Sequence, residues 1–383
     1  MTSPFAGLRV IDFSTTVAGP ICTRMLADHG AEVIKIEPPE GEMMRIRPPL
    51  RAGASTTFGQ LNVGKQSVAL DLKTPFGVEA ARRIASTADI LVENFRPGVM
   101  KRLGLGYDVF GASNPRLIYC SISGYGQTGP SSQLPAYASV VHAASGYDLG
   151  NLVYQEGRSR PDYCGIYVAD VLAGVHAFGA IGAALHQRAA TDRGQLIDVS
   201  MFEAMLGLML NEIQSAQFPF PQPSRPFFGP VETKDGYVNV AVAAERTFQG
   251  LAQAAGRPEL VADPRFEKYA ERRMNWAEFM DIVEAWSRTV SSVECMRQFE
   301  LHGVPAAAYR TVQEALADTQ LSHRQALTEV ADEGGPFTIL NQPIRMSDSD
   351  TRPGSRVPAL GEHTRQVLSE VGLSEAEARA TAV

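Results

Sequence analysis

Over its first half the chain alternates short apolar runs with helix-length segments, and this alternation restricts the fold more than any other feature. Leu8 to Phe13 suits a strand buried on both faces. A small-residue loop follows, then a helix with Pro20 near its start and Gly30 at its end, and Glu32 to Ile36 as a second strand. Together they make a βαβ unit of the usual length, about thirty residues. Val68 to Leu72, Ile90 to Glu93, Leu117 to Ser123 and Leu196 to Val199 continue the strands, with a helix over Pro75 to Ala85. The pattern predicts an α/β fold with an open, Rossmann-like parallel sheet, whose ligand crevice lies at the carboxyl ends of the strands. The first loop, Ser14 to Gly19, holds no GxGxxG, so it gives no support for a dinucleotide.

Residues 1–217 are expected to supply the N-terminal part of a large domain. Residues 218–230 are proline-rich and read as a linker. A smaller α+β domain is expected over 231–328, with a strand at Tyr237 to Val242 and helices near Arg246 to Ala255, Trp276 to Arg288 and Val293 to His302. Residues 329–383 are expected to complete the large domain, extended from Phe337 to Met346 and helical from Glu362 to Val371. A single helix is expected from Met201 to about Gln214. The connection from Pro38 to Phe58 is too long for a simple turn, and its Arg45, Arg47 and Arg51 make a dicarboxylic substrate conceivable.

Net charge is −7, which argues against a nucleic-acid partner. Cys22, Cys120, Cys164 and Cys295 form no metal-ligand spacing and read as free thiols of a cytoplasmic protein. Met1 to Gly7 lacks the pattern of a secretory signal. With no HExxH, P-loop or GxSxG, zinc hydrolysis, nucleotide phosphoryl transfer and the usual serine hydrolase elbow lack support. Neither a metal nor a resident cofactor is expected.

One acid stands apart. Asp170 heads an uncharged run from Val171 to Leu185, which approaches membrane-spanning length but fits a buried helix better because of its Gly and Ala content. Asp170 would open this helix and cap its free amides, favoured by the helix dipole. An ionised carboxylate on a rigid element is equally suited to attack an activated carbonyl. Local grammar leaves both roles open.

Four stretches each sit where a strand leaves the sheet: Val33-Ile34-Lys35-Ile36-Glu37-Pro38, Leu70-Asp71-Leu72-Lys73-Thr74-Pro75, Glu93-Asn94-Phe95-Arg96-Pro97-Gly98 and Ile122-Ser123-Gly124-Tyr125-Gly126. With Asp170 and the closing Leu360-Gly361-Glu362-His363-Thr364, their order resembles the class III CoA-transferases of the formyl-CoA transferase and carnitine CoA-transferase type, from about Leu8 to Leu373. The resemblance implies transfer of CoA from an acyl-CoA to a free carboxylic acid, with CoA as substrate. It implies Asp170 as nucleophile and an interlocked homodimer as the assembly. CoA contacts carry over to Thr16, Val17, Ala18, Leu70, Lys73, Asn94, Phe95 and Arg102, and Tyr137 matches a tyrosine near the reacting centre. Gly124 and Tyr125 begin a loop whose amides, with those beyond Asp170, are expected to stabilise oxyanions. The formyl and oxalate branch tends to have Gln where this chain has Val17, Arg where it has Pro38, and a glycine-rich lid where it has Pro223-Ser224-Arg225-Pro226, which speaks against formyl-CoA and oxalate. Two alternatives remain: a racemase of the related α-methylacyl-CoA branch, with Glu245 and His142 as candidate proton carriers, and an acyl-CoA binding protein without catalysis.

Overall fold

The computed structural model describes residues 3–155, 157–242 and 244–373. The chain divides into two compact units: Met1–Ser145 with Cys164–Leu208 and Gln320–Val383, and Gly146–Tyr163 with Met209–Thr319.

The first unit is built on six strands: β1 (Arg9–Asp12), β2 (Glu32–Glu37), β3 (Gln66–Ala69), β4 (Ile90–Glu93), β5 (Ile118–Ser123) and β6 (Leu196–Ser200). Their order is β3-β2-β1-β4-β5-β6, and every neighbouring pair is parallel. Winding therefore reverses between β1 and β4, and the carboxyl ends of these two strands border a crevice. The strands are apolar runs because both faces are covered. Ile11, Ile34, Leu91 and Tyr119 join one core with Ala80 and Ile84 of α2 (Pro75–Ala85), Phe110 of α3 (Tyr107–Ser113), and Val367 and Leu368 of the helix Thr364–Glu370. Elsewhere in this unit α1 (Ala18–Asp28) packs against α5 (Val168–Thr191), and α5 also packs on α4 (Ala138–Ala144) and α6 (Met201–Leu208).

Two elements depart from expectation. β3 lies two residues earlier than Val68 to Leu72, because Leu70 onward is claimed by a turn. There the Asp71 side chain accepts the Lys73 amide and Thr74 caps the Gly77 amide, which gives the backbone an alternative to the ladder. The single helix expected after β6 breaks at Met209, whose φ of −94° and ψ of 61° are not helical, and a second helix runs over Leu210–Gln217. A hairpin of Leu327–Asp332 with Gly335–Leu340 accompanies the expected C-terminal extended segment.

The second unit carries a three-stranded antiparallel sheet of Pro230–Glu232, Tyr237–Val240 and Ala306–Ala308, with Tyr237–Val240 central. Helices Glu245–Ala254, Trp276–Ser287 and Ser292–Leu301 enclose an aromatic core of Phe248, Phe266, Trp276, Phe279 and Phe299.

Candidate active site

The carboxyl ends of β1, β4, β5 and β6 deliver their following residues to one open cleft of about 280 Å³. Thr15, Thr16 and Ala18 follow β1; Asn94, Phe95, Arg96 and Pro97 follow β4; Gly124 follows β5; and Met201 follows β6. Tyr137 and Asp170 complete the lining with Ser132, Leu134 and Ala136.

Asp170 is the only carboxylate in that lining. It does not open its helix: Tyr167 is the cap residue, so Asp170 is the third helical residue and its carboxylate accepts its own backbone amide. The same carboxylate accepts the amide of Ala18, the first residue of α1. Two helix N-termini thus meet at one acid, and each favours its anion. Burial works against them and prevails, pushing the carboxyl up to about 6, so at neutral pH most of it is still ionised.

This meeting depends on a glycine. A Cβ on Gly174 would fall 2.0 Å from the Ile21 side chain and 2.6 Å from the Ala18 carbonyl oxygen. Only a bare backbone lets α5 approach α1 closely enough for the Ala18 amide to reach Asp170.

The loop after β1 is held from behind. Asn94 clasps Thr15 twice, accepting its amide at 2.8 Å and donating to its carbonyl at 2.9 Å. Thr16 adopts φ of +69°, uncommon for a residue with a Cβ, and its amide is held at 2.8 Å by Glu42. Glu42 lies 3.3 Å from Lys35 Nζ, which also donates to the Ser14 carbonyl at 2.7 Å. Beneath them, Asp12 accepts from Ser14, Thr23 and Lys65. Burial would raise the Asp12 carboxyl, but Lys65 and Lys35 hold it down at about 2. Lys35 and Lys65 are fully buried, and each is matched to a carboxylate, as burial of charge requires.

A second buried acid underlies the β4 loop. Glu93 accepts the Phe95 amide at 2.8 Å, and burial pushes its carboxyl up to about 7, with nearby Asp198 adding to the rise.

Of the residues singled out in sequence, Thr16, Ala18, Asn94, Phe95, Gly124, Tyr137 and Asp170 line the cleft. Val17 is buried beside it as the cap residue of α1. Leu70 is buried in the turn after β3, Lys73 is exposed in the same turn, and Arg102 is exposed at the end of a short helix, Val99–Arg102. Tyr125 stacks at 5.7 Å on Phe202 rather than on the cleft. Two of the amides expected to stabilise oxyanions have partners within the fold. The Val171 amide is spent on the Tyr167 carbonyl and the Gln127 amide on Asp198. Arg45 and Arg51 are also committed, to Glu37 and Asp332. Of the racemase candidates, His142 is buried and accepts the Ala169 amide, while Glu245 belongs to the second unit and pairs with Arg272 at 2.8 Å.

An acid in the first turn of one helix, at the crevice of a parallel sheet and bonded by the first amide of another helix, defines a class of carboxylate-centred α/β enzyme sites. Comparison with known proteins gives the class its particular identity. The profile of CoA-transferase family III matches residues 5–364. The succinyl-CoA–D-citramalate CoA-transferase of Chloroflexus aurantiacus is 34% identical, over 97% of this chain and 95% of its own. The succinate–glutarate CoA-transferase of Agrobacterium fabrum is 32% identical, over 96% of each chain. Among solved structures, a CaiB/BaiF family protein from Brucella suis superposes with a TM-score of 0.83 at 32% identity, covering 97% of this chain and 100% of the other. The Mycobacterium tuberculosis protein Rv3272 gives 0.85 at 30% identity, covering 95% and 98%. The chain belongs to CoA-transferase family III, enzymes that transfer CoA between carboxylic acids.

Proposed function

We propose that this enzyme moves CoA from an acyl-CoA to a free acid by covalent catalysis at Asp170. The observation that carries the reading is the Asp170 carboxylate itself, ionised at neutral pH, held by two helix starts and facing the cleft. A carboxylate oxygen of Asp170 attacks the thioester carbonyl, the C–S bond breaks, and an acyl-aspartyl anhydride forms as CoA leaves as thiolate. The thiolate attacks the aspartyl carbonyl, freeing the donor acid and leaving an aspartyl-CoA thioester. The acceptor carboxylate then attacks that thioester, regenerating an anhydride and the thiolate. Attack of the thiolate on the new acyl carbonyl releases the product and restores Asp170. Every bond broken is matched by an activated bond formed, so no nucleotide is consumed.

The acids are proposed to be dicarboxylic. Relatives named for succinate, glutarate and D-citramalate support this, whereas Arg45 and Arg51 give no support because both are already ion-paired. The racemase reading lacks a second proton carrier: His142 is occupied with a backbone amide.

A homodimer is proposed as the working form. Val171 and Val175 are 37% and 46% exposed on α5, and Gly179 and Gly182 on the same face have open space before them. This uncharged stripe suits a second copy of the chain. A mass of one chain in light scattering overturns the dimer. We place the enzyme in the cytoplasm, in keeping with its free thiols; recovery in a membrane or secreted fraction contradicts that.

For the chemistry, the enzyme is incubated with succinyl-CoA and hydroxylamine, and the modified residue is mapped by mass spectrometry. A hydroxamate at Asp170 is expected. Modification elsewhere, or full exchange activity in Asp170→Ala, ends the proposal.

A further inference from the structure

The start of α5 has three backbone amides that no carbonyl within the helix can take. The Val168 amide reaches the Ile166 carbonyl at 2.9 Å, and the Asp170 amide is taken by its own carboxylate. The third, on Ala169, donates to Nε2 of His142 at 3.2 Å. His142 is not on α5 at all but in the last turn of α4, and both partners are buried, His142 at 1% exposure and Ala169 at 0%.

Because Nε2 faces an N–H, it must be the unprotonated ring nitrogen, and the proton of the neutral ring sits on Nδ1. Ala169 is the residue before Asp170. A carboxylate in the first turn of a helix can accept such amides, as in a capping box. Without His142, the Ala169 amide would be a buried donor without its acceptor, next in the chain to the Asp170 carboxylate.

We infer that His142 is a positioning residue: by capping the Ala169 amide from α4, it keeps the Asp170 carboxylate from turning to that amide as well and leaves an oxygen facing the cleft. A residue that local grammar reads as either a cap or a nucleophile is thereby spared one amide of its helix start, which a histidine on another helix takes. This rests on Asp170 being the nucleophile.

The test compares His142→Leu, which fills space without an acceptor, with His142→Gln, whose amide oxygen can take the Ala169 amide. Both are measured with succinyl-CoA and succinate exchange, with hydroxylamine trapping at Asp170 and with thermal melting. In His142→Leu, kcat and the trapping rate are expected to fall at least tenfold while KM for succinyl-CoA stays within about twofold; in His142→Gln, kcat is expected to recover to within threefold of wild type. Should the Leu variant melt below the assay temperature, His142→Phe serves as the acceptor-free variant, since its ring keeps a similar volume. Wild-type kcat in the acceptor-free variant, equal loss in both variants, or a loss confined to KM overturns the inference. If the wild type is trapped at another residue, the nucleophile assignment fails first and this inference with it. Trapping at Asp170 that is indifferent to His142 removes only the inference.

Discussion

Glu42 accepts the backbone amide of Thr16 through a 2.8 Å hydrogen bond, so a residue buried behind the cleft fixes one that lines it. The same carboxylate lies against Lys35, whose side chain is fully buried. Glu42→Ala would free the Thr16 loop and leave the Lys35 ammonium poorly matched, a change that costs roughly 3–5 kcal/mol for a broken buried pair. The expected result is a lowered urea midpoint together with at least a tenfold loss of kcat/KM. Glu42→Gln, which keeps an acceptor for Thr16, is expected to lose less activity than stability. Wild-type stability in Glu42→Ala would contradict the clamp.

Burial sets the pH response of Asp170. With its carboxyl pushed up to about 6, the nucleophile is lost as pH falls through that value, and kcat/KM is expected to drop about tenfold per unit below it while staying level above pH 7. Stability moves the other way. The native state holds this proton at pH values where the unfolded chain has released it, so the contribution of Asp170 falls as pH rises from about 4 to 6. Asp170→Asn is therefore expected to be inactive yet more stable than wild type at pH 8, by about 1–2 kcal/mol. An acid limb at the ordinary carboxylate value would refute the buried setting.

Glu93 gives a separate signature, because its carboxyl is pushed up to about 7. Its proton is retained in the fold between about pH 4.5 and 7, so wild-type stability should decline over that interval. Glu93→Gln keeps an oxygen for the Phe95 amide and carries no charge to desolvate. Melting curves at pH 4 and 8.5 are expected to show a gain of about 2 kcal/mol for the variant at the higher pH and little at the lower. A gain of the same size at both would show that charge burial is not its source.

Gly174→Val tests the close approach of α1 and α5. Its branched side chain would meet the Ile21 side chain and the Ala18 carbonyl, and overpacking of this kind costs about 1–3 kcal/mol. Because the helices part at the point where the Ala18 amide meets Asp170, activity is expected to fall more than tenfold even at temperatures where the variant remains folded. Activity near wild type would mean that the Ala18 contact is dispensable.

The sequence carried the sheet well where runs were short and mostly apolar: Ile90 to Glu93 is a strand over just those residues. It misplaced β3, because the pull of Asp71 and Thr74 on nearby amides outweighed the apolar character of Leu70 and Leu72. Asp170 stood out as a lone acid at the head of an uncharged run. Its supporting groups did not stand out, because their partners are distant in the chain: Asn94 meets Thr15 79 residues away, Lys65 meets Asp12 53 residues away and His142 meets Ala169 27 residues away. One signal was available. Lys35 and Glu37 fall inside a strand of a sheet expected to be covered on both faces, where a charge survives only if something is built to receive it.

The cleft's walls come from connections that leave different strands, and Asp170 stands on α5, well along the connection from β5 to β6. A change in the loop after β4 reshapes one wall without altering the residues that carry the carboxylate and its two helix starts. Chemistry and choice of acid can therefore drift apart over evolutionary time: one reaction centre can be kept while its clientele is exchanged loop by loop, and new acids can be recruited without reinventing the bond-making step.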